Sequence, residues 1–443
     1  MSEATPPRPE SGLYQAFWRW HFYAGVMVMP LLMLMALTGG LYLYRAEIDT
    51  AVYRPLMTVG AGPARTSPQT WVDAAELGAG GRTSQVTAPA PGRSAQVVVA
   101  LPRGERRTAF VDPRDGRYLG SIPEGGVMGW VKALHGLSLF GPIANLAVEV
   151  AAGWAIVLAA TGVVLWWPRG QTGGVVTIRA TPARRLFWRD LHAVTGLFAG
   201  AVIVFLAVTG MPWSAVWGAQ ARALVNAAGL GRPPAPAASV RHPAPGAAPA
   251  VPWTLQETDI HAGHVMAEAG GAAVGINGVA DAAEAAGLPR PYVLTPPRAP
   301  GLAWSAAHMP ARVEQTRTLY FTDSGEPLAD IGYRDFGAGA KAIEWGIAVH
   351  QGGQFGQANR LVMLVGCVAV WLLGASALVM WWKRRPPGGR VSAPPRPVRR
   401  AAYLPLAAVI APLGIVYPLV GGSLVLALGI DLAVRRLGRL RPS

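Results

Sequence analysis

The chain has 443 residues, 51% of them hydrophobic and only 14% charged, a balance too apolar for an ordinary soluble domain. A single cysteine, Cys367, excludes an internal disulfide, a Cys-ligated iron–sulfur cluster and C-x-x-C-H haem attachment. The formal charge of +15 is distributed as a positive-inside pattern, not as a nucleic-acid footprint, so no nucleic-acid partner is expected.

Residues 45–134 carry 11 basic and 8 acidic side chains and residues 214–348 carry 9 and 11, while the surplus cations fall at Arg19, Arg169–Arg189, Lys383–Arg400 and Arg435–Arg441. These clusters mark the cytoplasmic segments. Residues 1–17 read as a polar cytoplasmic tail, and 18–44 as a first span built on the apolar run Phe22–Tyr44. That run is long enough to cross a ~30 Å hydrocarbon core at ~1.5 Å per residue. It is too long for a signal peptide, and no small-residue cleavage site follows it. Residues 45–133 form an outer segment. Its strands are expected at Ser94–Leu101, Thr108–Val111 and Arg117–Leu119, with a turn at Asp112-Pro-Arg-Asp-Gly116.

A second span with its lead-in covers 134–168, a basic loop 169–187 and a third span 188–213. The second outer segment, 214–348, opens with a Pro/Ala-rich linker at 232–252 and repeats the strand–turn–strand pattern around Arg317–Phe321, Thr322–Glu326 and Pro327–Asp330. A fourth span with lead-in covers 349–383. A basic linker (384–400), a helical hairpin read as two further spans (401–434) and a tail (435–443) follow. Pro405, Pro412 and Pro418 shorten the hairpin's runs. The expected fold is an α-helical integral membrane protein with both termini inside and two small outer α+β domains.

Internal repeats set this architecture. His135, Phe140-Gly141, Trp166-Trp167 and Arg169 recur as His350, Phe355-Gly356, Trp381-Trp382 and Arg384, at a constant offset of 215 residues. His21, Gly25 and Thr38-Gly39 recur as His192, Gly196 and Thr209-Gly210 at an offset of 171. The chain therefore reads as two parallel copies of one unit, helix out, outer domain, helix back. That symmetry puts His21 and His192 at one depth, near the cytoplasmic face, and His135 and His350 at another, near the outer face. A lone membrane histidine usually serves an interhelical hydrogen bond. Two symmetric pairs point instead to axial ligation of a b-type haem, which needs two imidazoles and no thioether link. Gly25 and Gly196 lie one turn beyond their histidines on the same helical face, where a side chain would obstruct a flat macrocycle. Close helix packing is the alternative use for such glycines.

Proton-coupled transport competes for membrane histidines, but the spans offer only Glu149 and Asp431 as carboxylates and neither is repeated. A transporter, or a regulatory protein whose outer domains bind a partner, is the second reading. His261-x-x-His264 lacks a third ligand and reads as a surface helix. Asn359 and Arg360, at the start of the fourth span, could meet a haem propionate or anchor the interface. Gly271–Gly278 only loosely resembles a phosphate loop. The tryptophan pairs are interface anchors.

The Trp-Arg-x-His…Thr-Gly helices, the His…Phe-Gly…Trp-Trp-x-Arg helices and the Asp-Pro-Arg-Asp-Gly turn together resemble the PepSY-associated transmembrane helix family across about residues 12–386. The resemblance implies a four-helix core holding two b-type haems, PepSY-like domains in the periplasm, and the activity of an inner-membrane ferric-siderophore reductase. Carried over by motif, the ligands are His21 with His192 and His135 with His350. Electrons from a separate reductase or the quinol pool would pass from the inner haem to the outer and on to a ferric chelate. Cytoplasmic loops this short offer no flavin or nicotinamide site of their own. The second outer segment departs from the PepSY pattern in being Ala/Pro-rich with weak strands.

Overall fold

A computed structural model describes residues 12–168, 170, 173–236, 274–297, 302–384, 397, 399–426 and 429. His261, His264, Gly271, Asp431, most of the Pro/Ala-rich linker, nearly all of the basic linker and the C-terminal tail lie outside these residues. The chain divides into a helical unit (Met1–Leu41, Ala133–Ala221, Arg360–Ser443) and a sheet unit (Tyr42–Lys132, Arg222–Asn359).

In chain order, helix α1 (Gly12–Tyr42) is followed by the short helices α2 (Arg45–Val52) and α3 (Arg54–Met57), then by α4 (Pro68–Ala79). Strands β1 (Arg82–Ala88), β2 (Ala95–Ala100), β3 (Arg106–Val111) and β4 (Tyr118–Pro123) follow, and α5 (Gly126–His135) leads into α6 (Pro142–Trp166) and α7 (Arg185–Gly210). Helices α8 (Trp217–Ala227) and α9 (Gly275–Ala285) precede β5 (Tyr292–Thr295), β6 (Trp304–His308), β7 (Arg317–Phe321) and β8 (Pro327–Gly332). The chain continues through α10 (Ala338–His350), α11 (Gly356–Trp382) and α12 (Leu404–Val416).

Among the described residues four helices, α1, α6, α7 with its short 3-10 extension to Trp213, and α11, are long and apolar enough to cross a membrane. Their outward faces stay apolar: Leu361, Val365, Val368 and Leu372 form an exposed stripe along α11. A soluble protein would bury such a stripe, whereas a bilayer solvates it. The expected fifth span falls short. At 13 residues, α12 is about 20 Å long, below the ~30 Å of a hydrocarbon core. A second arm is helical over 418–426. The two arms close where a Cβ on Gly421 would meet the carbonyl oxygen of Gly414 at 2.5 Å. This hairpin seats on α6: Leu406, Ile410, Tyr417 and Val420 join Trp154, Val157 and Met211 in one core. Trp154 Nε1 donates to Ser423 Oγ at 2.9 Å.

The sheet unit corrects the expectation of two separate outer domains. Each outer segment supplies four strands to a single eight-stranded antiparallel sheet, in the order β4-β3-β2-β1-β5-β6-β7-β8. Strand β1 pairs with β5 through Val86↔Leu294, Thr87↔Val293 and Ala88↔Tyr292. Two isolated four-stranded sheets would expose these strands as open edges, and joining them removes both edges at once. Helices α4 and α9 cover the join, packing Trp71, Ala75, Val279 and Ala283 against Val86, Val97 and Leu294. Ser67 caps α4 ahead of Pro68, and Gly80 ends it in the left-handed conformation at φ 76°. The turn between β3 and β4 is the expected one. Asp112 Oδ1 accepts the backbone N–H of Arg114 at 3.0 Å, and Gly116 takes φ 77°. The Arg114 guanidinium also holds the buried Asp112 carboxyl below its ordinary value of 3.8.

Candidate functional site

The helical unit brings the rings of His21 of α1 and His192 of α7 together. Their ring centroids are 6.2 Å apart and the planes are nearly perpendicular, at 84°. Two other long helices hold the rings. His21 Nδ1 lies 2.9 Å from Thr161 Oγ1 of α6. His192 Nδ1 lies 3.0 Å from Ser376 Oγ and 3.1 Å from the Leu373 carbonyl of α11. All four spans therefore contribute to one site. Thr161 and Ser376 are functional candidates that the reading of the motifs passed over, although they stand at the same 215-residue offset as His135 and His350. A hydroxyl in an apolar helix ordinarily bonds its own helix's carbonyl, which hid them.

The glycines beside the histidines are not packing glycines. A Cβ on Gly25 would come no closer than 4.0 Å to Leu158, and one on Gly196 no closer than 3.7 Å to Leu373. Gly200, one turn further along α7, faces open space. Both histidines are half-buried. Contrast Gly366 and Gly374 of α11, where a Cβ would come within 2.7 Å of Val202 and 2.5 Å of Met33. Tight helix contacts are thus made elsewhere, and a side-chain carbon at Gly25 or Gly196 would meet only ordinary van der Waals contact.

At this end of the bundle the basic loop folds onto α7. Fully buried Asp190, two residues before His192, accepts Arg179 Nε at 2.8 Å and Arg189 Nη2 at 2.7 Å. It also takes the backbone N–H of Arg179 at 3.1 Å. Arg384 stands over the rings of Trp18 and Phe22, at 5.1 and 5.5 Å from their centroids. The Trp-Arg motif residues thus serve cation–π contacts as well as interface anchoring.

His135 occupies the other end of α1. Its Nδ1 is 3.0 Å from Thr38 Oγ1, and a Cβ on Gly39 would meet its Cε1 at 3.2 Å. Thr38 is 17 residues beyond His21, or about 25 Å along the helix. The Thr-Gly motif of α1 thus belongs to His135. His350, half-buried, closes α10 in the sheet unit. Arg360 sits half-buried in the first turn of α11. Its neighbour Asn359 donates from Nδ2 to the Val349 carbonyl at 2.9 Å, tying down the end of α10.

Glu149 is fully buried in α6 and its Oε2 accepts the N–H groups of Val216 (3.2 Å) and Trp217 (3.0 Å) at the start of α8. This carboxylate caps a helix, a structural use. Among the described residues no group of three or more His, Cys, Asp or Glu side chains could hold a bare metal ion. The His21–His192 pair is an arrangement of another kind. Two imidazoles that each bind a metal at about 2.0–2.1 Å have centroids roughly 6 Å apart.

Among the described residues, four helices long and apolar enough to cross a membrane, a histidine pair between two of them and a large antiparallel sheet define a helical membrane protein with a sheet unit. The chain belongs to the family described as the PepSY-associated TM region, whose model matches residues 18–384. The match takes in all four motif histidines and stops before the α12 hairpin. No curated protein sequence matches the chain.

Proposed function

We propose that this chain is a haem b electron-transfer protein of the bacterial inner membrane that reduces a ferric chelate, such as a ferric siderophore, on the periplasmic side. The observation that carries the reading is the His21–His192 pair, 6.2 Å between centroids, with Gly25 and Gly196 one turn along and not in tight helix contact. A bis-imidazole b-type haem, when bound, supplies one-electron transfer at a potential tuned by its ligands and surroundings. The protein's part is to hold the imidazoles, exclude water and set local charge. His21 and His192 would hold one such group, and the sequence repeat offers His135 and His350 as ligands of a second. Asp190 fixes the N-terminal turns of α7, and with them the backbone that carries His192. Arg360 is a candidate partner for a propionate.

Both the repeat and the positive-inside charge pattern support termini on the cytoplasmic side, with the sheet unit in the periplasm. The electron donor would be external, a separate reductase or quinol. Reduction of the substrate iron loosens its hard oxygen donors, because Fe(II) is a softer and less charged acceptor.

The test is a dithionite-reduced minus oxidised spectrum of detergent-purified protein, with haem counted per chain. Two low-spin b-type haems are expected, one lost in His21→Ala and the other in His350→Ala. A featureless spectrum from folded protein would refute the reading and return transport or partner binding to first place.

A further inference from the structure

Each hydroxyl beside a histidine has a carbonyl of its own helix within donating distance. Thr161 Oγ1 donates to the Val157 carbonyl at 2.7 Å, and Ser376 Oγ donates to the Leu373 carbonyl at 3.0 Å. A hydroxyl carries one proton, so an oxygen that donates to its own helix can only accept from a third group. With the hydroxyl proton on its own helix's carbonyl, His21 Nδ1, 2.9 Å from Thr161 Oγ1, is the donor. For His192 the conclusion is doubly required, because its Nδ1 also lies 3.1 Å from the Leu373 carbonyl, which has no proton to give. The pattern extends to the other end of α1. Thr38 Oγ1 donates to the Leu34 carbonyl at 2.7 Å and sits 3.0 Å from His135 Nδ1. Three imidazoles from three helices are treated alike.

We propose that Thr161 and Ser376 are positioning residues that lock His21 and His192 with the proton on Nδ1 and the lone pair on Nε2. This gives each ring a fixed orientation and one bare nitrogen, the form in which imidazole binds a metal. The assignment rests on the haem reading only for what the two lone pairs would meet. Because Nδ1–H is hydrogen-bonded, the rings are also better electron donors at Nε2. A bound iron would have its ferric state favoured and its potential lowered.

Histidine-selective 15N NMR of the haem-free full chain, with signals assigned from His21→Gln and His192→Gln chains, reads the tautomer directly. The expected result is a protonated Nδ1 and a bare Nε2 on both residues. Thr161→Val keeps the side-chain volume and removes the hydroxyl; it should turn the His21 signals into a mixture of tautomers and leave His192 unchanged. Thr161→Ser should restore them, and Ser376→Ala should shift the His192 Nδ1 signal alone while leaving the proton there, because the Leu373 carbonyl still accepts it. With haem bound, Thr161→Val should lower haem affinity by roughly 10–100-fold and raise the midpoint potential. A proton on Nε2 in the unmodified chain, or a His21 pattern indifferent to Thr161→Val, would overturn the proposal. The NMR needs no haem, so its failure is distinct from a colourless protein, which defeats the functional reading and leaves the tautomers as found.

Discussion

Gly25 and Gly196 separate two explanations of the space beside the inner histidines. In Gly25→Ala/Gly196→Ala, each new Cβ meets only ordinary contacts, 4.0 Å to Leu158 and 3.7 Å to Leu373. No overpacking cost arises, and each alanine gains about 0.8–1.0 kcal/mol of helix propensity on the aqueous scale. The pair should therefore unfold later, by up to ~2 kcal/mol in all if the two add. Were these glycines needed for close helix approach, the same change would cost ~1–3 kcal/mol per site. Enlarging both to leucine fills the space rather than bordering it. On the proposed haem reading, Gly25→Leu/Gly196→Leu should leave the chain folded but lower its haem content by the group assigned to His21 and His192. Helix circular dichroism during heating and a haem count on the same detergent preparation read both quantities. A destabilised alanine pair would refute the free-space argument. Full haem content in the leucine pair would refute the use assigned to that space.

Three further outcomes follow from other parts of the structure. Val420 fills the notch at Gly153, so Gly153→Val should dislodge the α12 hairpin and expose it to protease, and adding Val420→Ala should rescue much of that effect. Simple additivity of the two changes would show that the hairpin does not seat there. Leu294 is fully buried across from Val86 at the β1–β5 join; Leu294→Ala should cost about 2–5 kcal/mol. Hydrogen exchange should then speed up in β1–β2 as well as β5–β6, and a loss confined to β5–β8 would mean two independent sheets. Asp112 is held below its ordinary 3.8 by Arg114. Its stabilisation of the β3–β4 turn is therefore full above that value and is lost as pH falls through the lowered folded value. Asp112→Asn should flatten this acid limb of a stability-versus-pH curve, and an unchanged acid limb would remove the role given to the pair.

Much of this protein is legible in its sequence because the signals are local. Uninterrupted apolar runs mark α1, α6, α7 and α11, since a membrane span must satisfy its backbone within one helix. The Asp112–Gly116 turn announces the β3–β4 hairpin through its own carboxylate and a glycine at positive φ. The constant offsets pick out the four histidines before any coordinate is known. What depended on the tertiary structure is the choice of partner. Nothing in Val86 or Leu294 says that β1 and β5 pair across some two hundred residues, because an apolar strand reads the same whether its edge is open or joined. Nor does the Thr38-Gly39 pair reveal that it serves His135 rather than His21. Thr161 and Ser376 look like ordinary self-satisfied hydroxyls until an imidazole from another helix arrives beside each. Period and composition determine which elements form, whereas the oxygen that accepts a given proton depends on long-range packing.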